Sequence, residues 1–233
     1  VIKVIVADDQ VLVRAGLAAL LRAAPGLDVV GEAEGGEQVL ALAAEHEADV
    51  ILMDVRMPGM GGIAATEQLV AAREAAGRQT PRVLILTTFD LDDYVYAALK
   101  AGASGFVLKD TSPERLLAAI TVVANGDMLF SPPISQRLIE AYTLRGEAPG
   151  GPPADLAALT AREIEVLRLV GKGMTNPEIA EHLVVGETTV KTHLNRTMTK
   201  LGLSTRAQAV VVAYEAGLVV PGRESASNGG HRR

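Results

Sequence analysis

The 233-residue chain has no cysteine, and aromatic side chains make up only 3% of it. Without thiols there is no disulfide and no thiolate-held metal. The four histidines, His46, His182, His193 and His231, are scattered and do not form a zinc-type cluster. So few rings argue against a platform on which single-stranded bases stack. No apolar run approaches the ~20 residues of a membrane span. The first apolar strand begins at Ile2, which leaves no room for a signal peptide, so a cytoplasmic protein with no membrane partner is expected. A glycine-rich phosphate loop is also missing after that strand, where Asp8-Asp9 stands instead, and this removes a nucleotide-binding reading.

Charge is plentiful but unevenly placed. The net charge is −6, yet residues 1–130 carry 10 basic and 18 acidic side chains, whereas residues 155–220 carry 7 of each. Within the second stretch, Lys191, Arg196, Lys200 and Arg206 face only Glu187 over 186–206. An acidic half followed by one with a basic stripe predicts different partners for the two halves.

Four apolar runs each end on a reactive polar group. Val4-Ile5-Val6-Ala7 precedes Asp8-Asp9, Val50-Ile51-Leu52-Met53 precedes Asp54, Val83-Leu84-Ile85-Leu86 precedes Thr87, and Phe106-Val107-Leu108 precedes Lys109. Runs rich in Val and Ile read as strands buried on both faces of a parallel sheet. Strands are expected near 2–7, 28–33, 49–53, 82–87 and 104–108, and helices near 10–23, 36–46, 62–76, 91–101 and 113–125. This βα alternation predicts a flavodoxin-like, doubly wound, five-stranded parallel sheet of order 2-1-3-4-5, with ligands bound where the strands end. Asp8, Asp9 and Asp54 then meet at the switch point. Asp54 can attack phosphorus as a nucleophile. Mg²⁺ held by Asp8, Asp9 and Asp54 would let the two anions approach. Lys109 can neutralise phosphoryl oxygens and the Thr87 hydroxyl can donate to one. A lone aspartate after a strand is most often a turn former, but the joint pattern at four strand ends does not fit that role.

Asp8-Asp9, Asp54, the Met57-Pro58-Gly59 turn, Thr87 and Lys109 together resemble the receiver domain of bacterial two-component response regulators. The resemblance covers residues 1–125. It implies that Asp54 accepts a phosphoryl group from a phosphohistidine on a sensor histidine kinase, and that the backbone carbonyl of Arg56 completes the metal site. It also implies that Thr87 moves toward the phosphoryl group while Phe106 turns inward, reshaping the face made by the fourth helix, fifth strand and fifth helix. Arg56 and Phe89, two residues beyond Asp54 and Thr87, are not side chains that orient an attacking water, so a long-lived phosphorylated form is expected.

Residues 127–154 break the alternation. Ser131-Pro132-Pro133 suits the start of a helix reaching about Thr143, and Gly146 to Pro153 reads as a linker. The expected organisation is a receiver domain over 1–126, a linker with a short helix over 127–154, an all-α helix-turn-helix domain over 155–220, and a disordered tail over 221–233. Thr160 and Glu163 form a capping box, and a shorter helix opens on Asn176-Pro177. A third helix runs from Gly186 to about Leu201, with Val190, Leu194, Met198 and Leu201 on its inward side. Its opposite face presents Thr188, Thr192, Asn195 and Thr199, flanked by Lys191 and Arg196, groups able to read base edges. Thr189, His193 and Lys200 lie to one side, where phosphates could be met. Ala207, Val210, Val211 and Tyr214 share one face of the last helix.

The segments Leu159-Thr-Ala-Arg-Glu, Thr175-Asn-Pro-Glu-Ile-Ala, Thr189-Val-Lys-Thr-His-Leu and Lys200-Leu-Gly closely resemble the LuxR-type helix-turn-helix, over about 156–219. With the receiver pattern, the chain resembles the NarL/FixJ subfamily. That implies Lys191, Thr192 and Asn195 as base readers of double-stranded operator DNA, with Thr189, His193, Lys200 and Arg206 nearer the backbone and Arg196 among the further DNA-binding residues. It also implies a homodimer on DNA paired through Ala207, Val210, Val211 and Tyr214, and RNA polymerase as a further partner. Gly186 departs from the pattern, standing where the family usually has a capping serine. An alternative enzyme reading, a phosphohydrolase with Asp54 as nucleophile, lacks a substrate-capping insertion.

Overall fold

The computed structural model describes residues 1–76, 81–87, 92–126 and 156–219. Its first half is built on five strands: β1 (Ile2–Ala7), β2 (Leu27–Ala33), β3 (Val50–Asp54), β4 (Arg82–Thr87) and β5 (Gly105–Leu108). They lie in the order β2-β1-β3-β4-β5, all parallel. This is the sheet expected from the apolar runs, with boundaries within a residue or two of the predicted ones. All five residues of β3 are buried, as a strand covered on both faces requires.

Five helices connect and cover the strands: α1 (Val11–Ala23), α2 (Gly36–Glu45), α3 (Gly62–Ala76), α4 (Asp92–Lys100) and α5 (Pro113–Ala124). Side chains alternate across the sheet, so its two faces build separate cores. Val4, Val6, Val50, Leu52, Leu84 and Leu86 pack with Leu21 of α1 and with Leu116, Ile120 and Val123 of α5. Ile5, Ile51, Met53, Ile85 and Phe106 pack with α2, α3 and α4 through Val39, Leu69, Val95 and Leu99. Each fully buried Ile or Leu stabilises the sheet by about 1.5–3 kcal/mol relative to exposure.

The second half is helical: a 3₁₀ turn at Leu156–Ala158, then α6 (Ala161–Gly171), α7 (Asn176–Leu183), α8 (Glu187–Leu201) and α9 (Arg206–Glu215). Thr160, Thr175 and Thr205 each cap a helix, in reciprocal capping boxes with Glu163, Glu178 and Gln208. Of these four helices α8 alone starts without a side-chain cap, because Gly186 precedes it, and the helix still forms with Gly186 in extended geometry. In the turn between α7 and α8, Val184 adopts a left-handed conformation at φ 53° and is exposed.

The apolar core behind α4 runs on into the second half, through α9 to α6. Tyr96 of α4 donates to Glu215 Oε1 of α9 at 2.7 Å, and Gln208 Nε2 of α9 donates to the Lys100 carbonyl at 3.3 Å. No helix among the described residues is long and apolar enough to cross a membrane. The expected helix over 131–143, the 146–153 linker, the tail and Phe89 lie outside the described residues.

Candidate phosphoacceptor site and nucleic-acid interface

The carboxyl edge of the sheet gathers the predicted groups. Asp54 closes β3, Asp8 and Asp9 follow β1, Thr87 closes β4, and Lys109 follows β5. Parallel pairing sets Met53 beside Ala7 and Asp54 beside Leu86, which brings the three strand ends level. One carboxylate oxygen from each of Asp8, Asp9 and Asp54 lies within 4.8 Å of the others. The Lys109 ammonium sits 2.7 Å from Asp8 Oδ2 and 3.0 Å from Asp54 Oδ2. Asp8 and Thr87 are buried, and Asp9 stands exposed at the mouth.

The electrostatics follow from this crowding. Burial raises the Asp54 carboxyl above the usual carboxylate range, and repulsion from Asp8 adds to it, against the pull of Lys109. Burial alone would lower the Lys109 ammonium, but its pairing with Asp8 and Asp54 outweighs that and leaves it raised. Lys109 is therefore a fixed positive charge at neutral pH. Asp8 Oδ1 accepts from the Gln10 N–H at 2.9 Å, whereas the buried Asp8 Oδ2 has only the ion contact with Lys109. Three carboxylates with oxygens this close, and Lys109 as the only cation placed among two of them in the described residues, fit a hard divalent cation.

The loop carrying Arg56 is held from both sides. Glu37 at the start of α2 accepts from the Met60 N–H at 3.1 Å, and the Gly36 N–H donates to the Met60 carbonyl at 2.9 Å. The Gly62 N–H donates to the Val55 carbonyl at 3.0 Å. Arg56 points its side chain to solvent and makes no backbone bond among the described residues, so its carbonyl can turn to a cation. Neither Glu37 nor the clamp it forms was singled out by sequence reasoning, since a glutamate in a first helical turn signals only a helix start. Phe106, expected to turn inward on activation, is already buried, at 2% exposure, in the cluster beneath α4.

In the second half, Thr188, Thr189, Lys191, Thr192, Asn195, Arg196 and Thr199 are all exposed along α8, the face predicted to read DNA. Its inner side carries the expected Val190, Leu194, Met198 and Leu201, all packed on the core, with Thr197 added to them. Val190 and Leu194 are buried, but Met198 and Leu201 only half so, and Thr197 is fully buried with its hydroxyl donating to the His193 carbonyl at 2.9 Å. His193 is half-buried, and its Nδ1 is enclosed without a partner. Lys200 and Arg206 are engaged inside the domain. Lys200 Nζ lies 2.7 Å from Glu163 Oε2, and the Arg206 guanidinium donates to Asn176 Oδ1 and to the Met174 carbonyl. Ala207, Val210, Val211 and Tyr214 are buried, at 6% exposure or less, in α9, which packs on α6 and on α4. A cleft of about 250 Å³ separates Lys191 and Asn195 of α8 from Arg82, Ser104 and Asn125 of the sheet domain.

Together the sheet edge and the helical interface define a phosphorylatable switch domain joined to a helix-turn-helix. Residues 4–121 match the response regulator receiver domain, and residues 157–213 match the bacterial regulatory proteins of the luxR family. The chain belongs to the response regulators that pair these two domains, the NarL/FixJ type. It is 40% identical to the uncharacterized transcriptional regulatory protein YxjL of Bacillus subtilis over 94% of this chain and 97% of that one. It is 39% identical to the B. subtilis transcriptional regulatory protein LiaR, over 94% and 99%. Among solved structures, a LuxR-family two-component response regulator from Aurantimonas sp. is 34% identical with a TM-score of 0.53, over 60% of this chain and 97% of that one. RcsB from Salmonella enterica bound to a promoter with the phosphomimetic BeF₃⁻ has a TM-score of 0.51 over 92% and 98%, and at 24% identity it shares the fold alone.

Proposed function

We propose that this response regulator is a DNA-binding transcription factor, not an enzyme, switched on when Asp54 takes a phosphoryl group from a sensor histidine kinase. An Asp54 carboxylate oxygen attacks phosphorus, and a P–O bond forms as the N–P bond of the phosphohistidine breaks; the departing nitrogen keeps that electron pair, and the ring, carrying one proton on its other nitrogen, leaves as neutral imidazole. Asp8, Asp9, Asp54 and the Arg56 carbonyl would hold Mg²⁺, which would supply positive charge to offset that of the nucleophile and the phosphoryl group. Lys109 is freed from Asp54 by the transfer and pairs with the new phosphoryl oxygens, keeping Asp8 as its second partner. Catalysis by the chain is then positioning and charge compensation.

The domain boundaries follow the same division: a receiver over 1–126, a linker over 127–154 and the helix-turn-helix over 155–220. Thr87 donates to the phosphoryl group, and α4 repacks over Phe106. That repacking loosens the contact of α4 with α9, frees Lys191 and Asn195 from the cleft to read base edges together with Thr192, and leaves Thr189, His193 and Arg196 to approach phosphates. The face of Ala207, Val210, Val211 and Tyr214 becomes the place where two DNA-bound copies pair. Operator DNA, a second copy, the cognate kinase and RNA polymerase are the partners, in the cytoplasm.

The observation that carries this reading is the convergence of Asp8, Asp9, Asp54 and Lys109 on one sheet edge, with Lys109 touching two of the carboxylates. Acetyl phosphate with Mg²⁺ should phosphorylate the full chain, as seen by retardation in a phosphate-affinity gel. Asp54→Asn or chelation should abolish the shifted band. Labelling that survives Asp54→Asn would place the phosphoacceptor elsewhere and sink the proposal.

A further inference from the structure

The cations expected to meet DNA phosphates are not all without a carboxylate partner, and Lys200, although exposed, has one. Lys200, in the last turn of α8, reaches back to α6 and places its ammonium 2.7 Å from Glu163 Oε2. That oxygen also accepts from the Thr160 N–H at 2.7 Å and from the Thr160 hydroxyl at 3.0 Å. Glu163 is only 3% exposed. A carboxylate removed from water in this way needs both hydrogen bonds and an opposite charge. The two Thr160 donors are neutral, and Lys200 is the one cation paired with Glu163 among the described residues.

The pair also has the right placement to control DNA reading. Glu163 stands in the first turn of α6, fixed by its capping box with Thr160. Lys200 is 37 residues later at the far end of the recognition helix. Val190 and Leu194 anchor the inner side of α8 by apolar contacts, which carry no directional constraint of their own. A charge-assisted hydrogen bond at the opposite end is directional and supplies that missing constraint. Base readout by Lys191, Thr192 and Asn195 depends on such constraint, since the donors must meet base edges within a fraction of an ångström. Were Lys200 to leave Glu163 for a phosphate, a buried carboxylate would be stranded beside a polyanion.

We infer that Lys200 is a positioning residue, which aligns the recognition helix by neutralising Glu163, and does not itself neutralise a DNA phosphate. The inference rests on the DNA-binding reading above. It differs from a phosphate contact in what its loss should do. A lost phosphate contact weakens binding to every sequence alike and lowers the salt slope by about 0.9. A misaligned recognition helix blunts discrimination and leaves the slope unchanged.

The test uses the full chain activated with BeF₃⁻ and two fluorescent duplexes: one selected by the wild-type protein from a random pool, and one of mixed sequence. Affinities are measured across a salt series by anisotropy. Lys200→Met should reduce the ratio of specific to non-specific affinity by about tenfold, with the salt slope of the wild type. Arg196→Gln, the phosphate-type comparison, should weaken both duplexes alike and lower the slope by about 0.9. The double variant Glu163→Gln/Lys200→Met, which removes both charges, should recover the ratio to within about threefold. If Lys200→Met alone does not fold, the double variant carries the test, with a retained ratio and an undiminished slope expected. A slope lowered by about 0.9 in either Lys200 variant, with equal loss on both duplexes, would overturn the inference. Absence of wild-type binding to any duplex would overturn the DNA-binding reading and this inference with it.

Discussion

Glycine shows how a single residue can be indispensable at one position and replaceable at another. At Gly62, a β-carbon would lie 2.0 Å from the Asp54 carbonyl oxygen and 2.8 Å from Met53 Cγ, so α3 can begin against the end of β3 only without a side chain. The main chain of Asp54 cannot shift without moving the phosphoacceptor. Gly16, in the middle of α1, has nothing within 4 Å of the same added carbon. Gly62→Ala should therefore destabilise the receiver by about 3 kcal/mol and slow phosphorylation of Asp54 by acetyl phosphate on the order of 100-fold, a misplacement effect. Gly16→Ala should stabilise the same domain by about 0.5–1 kcal/mol and leave phosphorylation unchanged. Thermal unfolding with a phosphate-affinity gel reads both, and equal behaviour of the two variants would refute the steric argument.

At the scale of elements, the same logic separates what the chain discloses from what it hides. Glu163 belongs to a capping box that is visible in sequence as Thr160 followed three residues later by a carboxylate, and the structure contains it. Lys200 as the partner holding that carboxyl down to about 2, ahead of the Thr160 N–H, was not visible. A folded-state value below the unfolded one contributes stability that is complete above the unfolded pKa, near 4.5, and fades as pH falls toward 2. The helical domain should thus lose stability in acid through that window, and Glu163→Gln should flatten the loss. Unfolding temperatures between pH 5 and pH 2 would show it, and identical acid profiles would remove Glu163 as the cause. The strands and the carboxylate cluster were legible because a buried parallel strand needs an apolar run and the edge residue follows directly. The partners of Thr197, Lys200 and Arg206 were not legible because polar side chains on a helix read as solvated unless their partners are known. Here the partners are a carbonyl one turn back and groups 30 or more positions away.

The whole molecule adds a property that neither half has alone. α4 lies over Phe106 on its receiver side and against α9 on the other, so the signalling face and the helix expected to pair two copies share one apolar cluster. The bond from Tyr96 to Glu215 crosses between the halves over 119 positions, and no periodicity in the sequence could announce it. In this arrangement Lys191 and Asn195, though exposed, border the cleft facing Arg82 and Ser104, so the sheet domain stands beside part of the face expected to read DNA. Removing the Tyr96 hydroxyl deletes a charge-assisted bond of roughly 1 kcal/mol at a half-exposed site, which shifts a closed-to-open equilibrium by about fivefold. Tyr96→Phe should accordingly raise the DNA affinity of the unphosphorylated protein about fivefold, while the BeF₃⁻-activated protein, already open, should bind as the wild type does. Glu215→Gln, which keeps an acceptor but drops the charge, should fall between the two. Anisotropy titrations of both states decide the matter: an unchanged affinity in the unphosphorylated variants would mean that the contact between α4 and α9 does not limit access to DNA, and control would then have to act through pairing of two copies alone.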